Sequence, residues 1–180
     1  MKLSVPYYSQ FVDIDDPFWM LRACGACSLK MVIESHGIAM PTILSLCNEA
    51  KERGGYDMQN GWVHDYLVMK ATELGMKAYR KEGIKDMTEI IAFIKEGNPV
   101  IVSIEKRVLE QTRFHLITLV GYEVDESVSN VTTRYPLSAV RSFYYHESES
   151  TDKEKGAYRI CTVETFLKYF RGKAIFIRKA

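Results

Sequence analysis

The sequence predicts an α+β fold in which helices pack on an antiparallel β-sheet. Apolar residues recur at helical spacing through most of the first half of this 180-residue chain, and the segments with strand character fall mostly after residue 98. Because helices and strands are largely segregated rather than alternating, an antiparallel sheet is favoured over a parallel one built from βαβ units. A chain of this length is sufficient for one compact domain with its own core.

Helices dominate the predicted first half. Residues 5–10 are expected to be extended because Pro6 disfavours helix in the residue before it. Three helices follow, and glycines or proline mark most of their ends. They are expected over residues 24–36, from 42 to about 53, and 62–74, with a loop at 56–61.

The second half is predicted to supply most of the sheet. Asp86 and Glu89 have the spacing of a capping box and start a helix that Gly97 ends. Thr162 is the expected N-cap of a last helix. Residues 124–139 fit either a long hairpin or an insertion. Strands are expected at residues 76–80, 99–104, 114–121, 141–146 and 174–177.

Composition excludes several classes of protein. The chain is 47% hydrophobic and 26% charged, as in ordinary globular proteins, and its net charge of +1 gives no reason to expect nucleic acid or a membrane as partner. The first residues lack the apolar core of a signal peptide, and no apolar run approaches the roughly 18 residues that span a bilayer. We therefore expect a cytoplasmic protein whose four cysteines stay reduced.

Cys24 is the candidate nucleophile. It stands at or just before the start of the first helix, where unpaired backbone N–H groups and the helix dipole favour negative charge. A thiol in such a position tends toward the thiolate, which is its reactive form. The alternative is that Cys24 is a small buried hydrophobic residue.

A thiolate nucleophile needs a base, usually histidine, and the base needs a group that orients it. His115 begins an apolar strand, where a buried polar residue must find a partner in either the backbone or Cys24. Glu147 follows the strand at 141–146, and it can bond the far ring nitrogen of His115 or remain a solvated carboxylate.

The other histidines are weaker candidates. His36 falls at the end of the first helix, where a structural or surface role is favoured. His64 follows Trp62 at the start of the third helix, and a structural role is favoured for it too. Trp62 and His64 are nevertheless candidates for lining a substrate cleft.

Cys24 and Cys27 form a Cys-x-x-Cys pair, which invites a zinc or redox interpretation. A closed zinc site is disfavoured because no second pair of ligands stands at the required spacing. A thioredoxin-like dithiol needs a βαβ setting that this order of elements lacks. Cys27 is better interpreted as a core residue of the helix, and neither a metal nor a cofactor is expected.

Four blocks together resemble family thirty-nine of the cysteine peptidases, the bacteriocin-processing, double-glycine-leader peptidases, and are most similar to its stand-alone members. The blocks are Val-Pro-Tyr-Tyr-Ser-Gln at 5–10, Ala-Cys-Gly-Ala-Cys-Ser-Leu-Lys-Met-Val at 23–32, Gly-Trp-Val-His at 61–64 and His-Leu-Ile-Thr-Leu-Val-Gly-Tyr at 115–122. The resemblance implies a single papain-like cysteine peptidase domain over residues 1–180.

The resemblance also implies residue roles. Cys24 would be the nucleophile and His115 the general base and then acid, while Gln10 would donate its side-chain amide to the oxyanion together with the Cys24 backbone N–H. The third member of the family's triad is usually an Asp, and Glu147 stands at that place. Because Glu is one methylene longer than Asp, the end of the strand must shift or the hydrogen bond to His115 must lengthen. Gln10 also lies farther before Cys24 than in the leader peptidases.

The implied function is a cysteine hydrolase that cleaves a peptide or other amide bond through a thioester acyl-enzyme. An acyltransferase or an inactive peptide-binding module on the same fold remains the alternative. A peptide or amide is the expected partner, and loops at residues 56–61 and 106–113 are expected to shape its pocket. The sequence does not indicate the oligomeric state.

Overall fold

The computed structural model describes residues 1–108, 111–125 and 139–180. Within these residues the helices are α1 (Cys24–Ser35), α2 (Ile43–Glu52), α3 (His64–Glu73), α4 (Thr88–Lys95), α5 (Lys153–Gly156) and α6 (Val163–Tyr169). The strands are β1 (Tyr56–Asp57), β2 (Gly61–Trp62), β3 (Met76–Lys81), β4 (Val100–Val108), β5 (Gln111–Val124), β6 (Val140–His146), β7 (Arg159–Thr162) and β8 (Phe170–Lys179).

Six of these strands form one sheet in the order β3-β8-β4-β5-β6-β7, and every neighbouring pair is antiparallel. This confirms the predicted α+β class. The central strand β5 alternates in the manner of a strand buried on both faces. Leu116 and Val120 belong to one core cluster, whereas Ile117 and Leu119 belong to the other.

Helices cover both faces of the sheet. The first cluster joins Leu29 and Val32 of α1 to Leu116 and Val120 of β5, and residues of α2 and α3 complete it. The second cluster packs residues of α4 and Phe166 of α6 on the opposite face. The amphipathic pattern that predicted α1 therefore arises because one side of that helix is pressed against the sheet. None of the helices in the described ranges is long and apolar enough to cross a bilayer.

Most predicted elements are confirmed, and three local differences have clear causes. The loop expected at residues 56–61 contains the short antiparallel hairpin β1–β2, so Trp62 lies in a strand and α3 begins only at His64. The turn closes because the Asp57 carboxylate accepts hydrogen bonds from the backbone N–H groups of Gln59 and Asn60.

The other differences lie near the C-terminal third. The polar stretch at residues 148–155 includes the single-turn helix α5, which Asp152 caps by accepting from the N–H groups of Glu154 and Lys155. The edge strand β7 has only four residues, too few for its period to stand out from the sequence. Of the stretch at 124–139, for which a hairpin or an insertion was open, residues 126–138 lie outside the described part.

The N-terminal residues are held against β5 by close backbone contact. Leu3 N–H donates to the Val120 carbonyl at 2.8 Å, and Tyr122 N–H donates to the Met1 carbonyl at 2.9 Å. A Cβ on Gly121 would lie 2.5 Å from the Met1 carbonyl oxygen and 2.9 Å from the Lys2 Cα. Glycine is therefore required for this approach.

We expect Gly121→Ala to lower the free energy of unfolding by about 1–3 kcal/mol, because the atoms that the new methyl meets are backbone atoms that cannot rotate away. Urea denaturation followed by circular dichroism measures this. Ser4→Ala, at an exposed residue of the same segment, is the matched control, since it leaves the backbone pairing intact and is expected to change stability by less than about 0.5 kcal/mol. Equal stability of Gly121→Ala and the wild type would contradict this account.

Candidate active site

Cys24 is the first residue of α1, and its half-buried side chain lines a cleft of about 400 Å³. The chain reaches this helix through a single 3-10 turn at Trp19–Leu21, whose N–H groups at Phe18 and Trp19 are held by the Asp16 carboxylate. The thiol is thus presented at the helix end with backbone N–H groups unpaired within the helix. The other three cysteines are free thiols, of which Cys27 and Cys47 are buried.

His115 of β5 lies between the thiol and a carboxylate. Its ring is almost fully buried, at 3% exposure, and its Nε2 lies 2.6 Å from the Glu147 Oε1. The Cys24 thiol lies near enough to the same imidazole to raise its pKa. Because Nε2–H donates to Glu147, the nitrogen available to the thiol is Nδ1. The polar residue that stood out from its apolar strand therefore has two side-chain partners.

The protonation states of the pair are coupled. Burial alone would lower the pKa of His115, but the hydrogen bond and charge of Cys24, followed by those of Glu147, raise it to about 10. Burial opposes ionisation of Glu147, yet the hydrogen bond from His115, its positive charge and that of Lys106 lower the Glu147 pKa to about 2. At neutral pH the site therefore holds an imidazolium beside an ionised carboxylate.

Glu147 follows β6 directly and is 3% exposed. Its Oε2 accepts from Lys106 Nζ at 3.1 Å, and its Oε1 accepts from the Glu149 backbone N–H at 3.0 Å. The hydroxyl of Tyr7 donates to the Glu147 carbonyl at 2.7 Å. The longer side chain therefore reaches His115 without a lengthened hydrogen bond.

His146, the neighbour of Glu147, faces away from the thiol. Its Nδ1 accepts from the Tyr158 backbone N–H at 3.0 Å, so its Nε2 carries the proton and donates to the Val5 carbonyl at 3.1 Å. Burial lowers its pKa to about 4, which keeps the ring neutral. Glu147 and His146 therefore point to opposite sides of the strand end.

Gln10 is fully buried, and both ends of its amide are held. Its Nε2 donates to the Met20 carbonyl at 2.8 Å, and its Oε1 accepts from the Ser148 hydroxyl at 3.1 Å. The segment between Gln10 and Cys24 thus folds back onto the Gln10 side chain, so the longer spacing between them does not leave the amide loose. Nε2 carries two hydrogens, and the bond to Met20 uses one of them.

Trp62 and His64 both line the cleft. The indole N–H of Trp62 donates to the Arg22 carbonyl at 2.7 Å, and its ring lies so close to Gly25 that a Cβ there would be 2.3 Å from the Trp62 Cδ2. The Cys-Gly pair at the start of α1 is thereby explained, because only glycine admits the indole beside the thiol. Burial and the nearby cations lower the pKa of His64, so its ring is neutral near pH 7.

Sequence reasoning missed three charged residues that surround the buried pair. Glu149 accepts from Lys106 Nζ and from Arg113 Nη2, both at 2.6 Å, and its Oε1 lies 4.0 Å from the His115 Nδ1. No short motif marks them, since strand pairing brings together residues that lie 36 to 43 positions apart in the chain.

The described residues contain one group able to hold a metal ion, formed by His115, Glu147 and Glu149, whose ligand atoms lie within 4.8 Å of one another. The carboxylate oxygens of this group already form hydrogen bonds or ion pairs. Glu147 accepts from His115, and both carboxylates pair with Lys106. An incoming cation would have to displace these positive groups, so the donor set fits an ion-paired imidazolium better than a metal centre.

Solved structures show what this fold is. The peptidase domain of ComA from Streptococcus, a bifunctional ABC transporter involved in quorum sensing, superposes with a TM-score of 0.58 at 17% identity, over 89% of this chain and 93% of that one. A double glycine motif protease from an AMS/PCAT transporter, solved with its leader peptide, gives 0.61 at 16% identity, over 99% and 94%. The fold is therefore that of the papain-like cysteine peptidase domains.

Family membership follows from the sequence. The family model of the Peptidase_C39 like family matches residues 2–167, which is most of the chain. The protein belongs to that family, which confirms the resemblance to family thirty-nine of the cysteine peptidases. No curated protein matches the chain.

We expect Gly25→Ala to lower stability by about 1–3 kcal/mol, because overlap with the Trp62 ring outweighs the better helix propensity of alanine. Urea denaturation measures the stability of each variant, and tryptophan fluorescence reports the surroundings of the Trp62 ring. In a Trp62→Ala background the same substitution should be neutral or stabilising, since the ring it meets is gone. Equal effects of Gly25→Ala in both backgrounds would show that the contact between Gly25 and Trp62 is unimportant.

A second prediction concerns acid stability. Glu147 has a folded-state pKa below its ordinary value of 4.5, so its contribution to stability is present above pH 4.5 and is lost as pH falls toward 2. The difference in unfolding free energy between wild type and Glu147→Gln should therefore shrink by up to about 3 kcal/mol over that range. Urea titrations at a series of pH values measure it, and a difference independent of pH would contradict the ion pair.

Proposed function

We propose that this protein is a cysteine hydrolase that cleaves a peptide or other amide bond through a thioester acyl-enzyme. One observation carries the proposal: the His115 imidazole is hydrogen-bonded to a buried carboxylate and lines the same cleft as a thiol at a helix N-terminus, which raises its pKa. Membership of the Peptidase_C39 like family supports the same reaction class. The protease solved with its leader peptide indicates a peptide as the kind of substrate to test first.

In the proposed reaction the Cys24 Sγ attacks the amide carbon and forms a tetrahedral intermediate. The second hydrogen of Gln10 Nε2 and the Cys24 backbone N–H would donate to its oxyanion. Protonated His115 gives its Nδ1 proton to the leaving nitrogen as the C–N bond breaks and the thioester forms. His115 then removes a proton from water, which attacks the thioester and returns Cys24 to the thiolate.

Glu147 would act on the orientation of the imidazole. Its ionised carboxylate accepts from Nε2–H and so keeps Nδ1 directed at the thiol. It also stabilises the imidazolium that alternates with neutral imidazole during turnover. Lys106 and the Glu149 N–H hold this carboxylate in turn, which keeps the longer side chain in one conformation.

Selective alkylation tests whether the thiol is activated. Iodoacetamide near pH 6 should label Cys24 first, because the adjacent His115 can accept the proton of its thiol, and His115→Ala should slow this by about tenfold or more. Cys47 and Cys161 serve as internal controls, since burial raises the pKa of each thiol. Mass spectrometry of tryptic peptides gives the rates. Equal labelling of Cys24 and Cys161 would favour a non-catalytic module.

Cleavage tests the reaction itself. A randomised peptide library incubated with wild type should yield new termini that are absent with Cys24→Ala, and Glu147→Gln should lower the rate by about a hundredfold or more. An acyl group on Cys24 that hydroxylamine removes would identify the thioester. Release of acylated amines rather than acids would instead identify an acyltransferase, and absence of both products would contradict the proposal.

A further inference from the structure

The cleft beside Cys24 has more positive than negative charge. Its charged walls are Arg22, Arg113, the His115 imidazolium and Glu149, and Glu149 is already shared between Arg113 and Lys106. Arg22 donates to the Phe18 carbonyl at 2.9 Å and stacks on that ring, but it forms no ion pair with any carboxylate in the described part of the chain. The cleft is therefore suited to a substrate that brings negative charge.

Arg171 of β8 is the better organised of the cations left without a carboxylate. Its Nη1 donates to the Ser103 Oγ at 3.1 Å, and its guanidinium carbon lies 3.3 Å from the centre of the Phe114 ring. Ser103 and Phe114 both line the cleft. Within residues 1–108, 111–125 and 139–180, Arg171 makes no ion pair, although it is partly buried. A guanidinium has five N–H donors, and stacking fixes its plane.

Arg171 differs from the other cations near His64 in its pairing with carboxylates. Arg80 and Lys173 lie near His64, which lines the cleft, and both contribute to the lowered pKa of its ring after burial. Arg80 is paired with Asp65 and Glu82, and Lys173 is paired with Glu82. Both therefore have a carboxylate within ion-pair distance, whereas Arg171 has none within the part of the chain that the structure describes. Burial, the largest cause, lowers the pKa of Arg171, while Glu105 and Glu82 oppose this from beyond ion-pair distance.

We propose that Arg171, with the Ser103 hydroxyl and the Phe114 ring, forms a subsite that binds a carboxylate of the substrate. The guanidinium donates its remaining N–H groups to the carboxylate, and the Ser103 hydroxyl, which accepts from Arg171, donates its own hydrogen to the same anion. The ring holds the guanidinium plane at the edge of the cleft. This specificity subsite rests on the proposed function, because it assumes that the cleft is where substrate lies.

The carboxylate has two possible sources, an Asp or Glu side chain or a free C-terminus. The test immobilises the Cys24→Ala variant and presents an equimolar library of randomised octapeptides, in one form with a C-terminal acid and in another with a C-terminal amide. Mass spectrometry counts retained Asp and Glu against Asn and Gln at each position. The same measurement is made with Arg171→Gln and with Arg178→Gln, an exposed arginine of the same strand, each added to Cys24→Ala.

The subsite predicts that acidic peptides are enriched about tenfold, that Arg171→Gln removes the enrichment and that Arg178→Gln leaves it unchanged. Enrichment at one internal position in both library forms would identify a side chain, and preference for the acid form alone would identify a terminus. Arg171→Lys keeps the positive charge but lacks the paired N–H donors of a guanidinium, so it should retain part of the enrichment. It also serves as a second variant in case Arg171→Gln does not fold.

Equal retention of acidic and neutral peptides, or enrichment that survives Arg171→Gln, would overturn the subsite. Failure of the proposed function gives a different result. Because Cys24→Ala cannot form an acyl-enzyme, retention reports binding alone. If wild type left the retained peptides uncut while the enrichment still depended on Arg171, the hydrolase would be wrong and the carboxylate subsite would stand.

Discussion

The site depends on one contact, the hydrogen bond between His115 and Glu147 in a place almost closed to water. A buried imidazolium is stable only if a negative group compensates for lost hydration. Glu147 supplies that charge, and its bond to Nε2 leaves Nδ1 for the thiol. Loss of the carboxylate would remove one of the two groups, Cys24 and Glu147, that raise the pKa of His115 against the effect of burial. The fold therefore serves the site by excluding water from this pair.

Several elements cooperate to keep the contact closed. The pairing of β4 with β5 puts Ile104 opposite His115, and Lys106 lies two residues further along β4, within reach of both Glu147 and Glu149. The N-terminal segment reaches the same place from the other side, since Tyr7 bonds the Glu147 carbonyl. Two carboxylates can lie beside one imidazole because Lys106 pairs with both of them and Arg113 pairs with Glu149.

Much of this arrangement could be predicted from the sequence because its signals are local. A polar His115 in an apolar strand, a Cys24 at a helix start and the alternation that separates Glu147 from His146 each follow from a few adjacent residues. Lys106 and Glu149 could not be predicted, because only the register of strand pairing brings them together. The β1–β2 hairpin could not be predicted either, because strands of two residues have no measurable period.

Gly25 and Trp62 pack directly against each other although 37 positions separate them in the chain. The indole packs against the backbone of α1 at its first turn and bonds the Arg22 carbonyl, so it fixes the approach of the chain into the helix. A nucleophile at a helix N-terminus benefits from the unpaired N–H groups only if that terminus is held rigidly. Gly25 therefore allows the Trp62 indole to pack against the first turn of α1 and to line one side of the cleft at the same time.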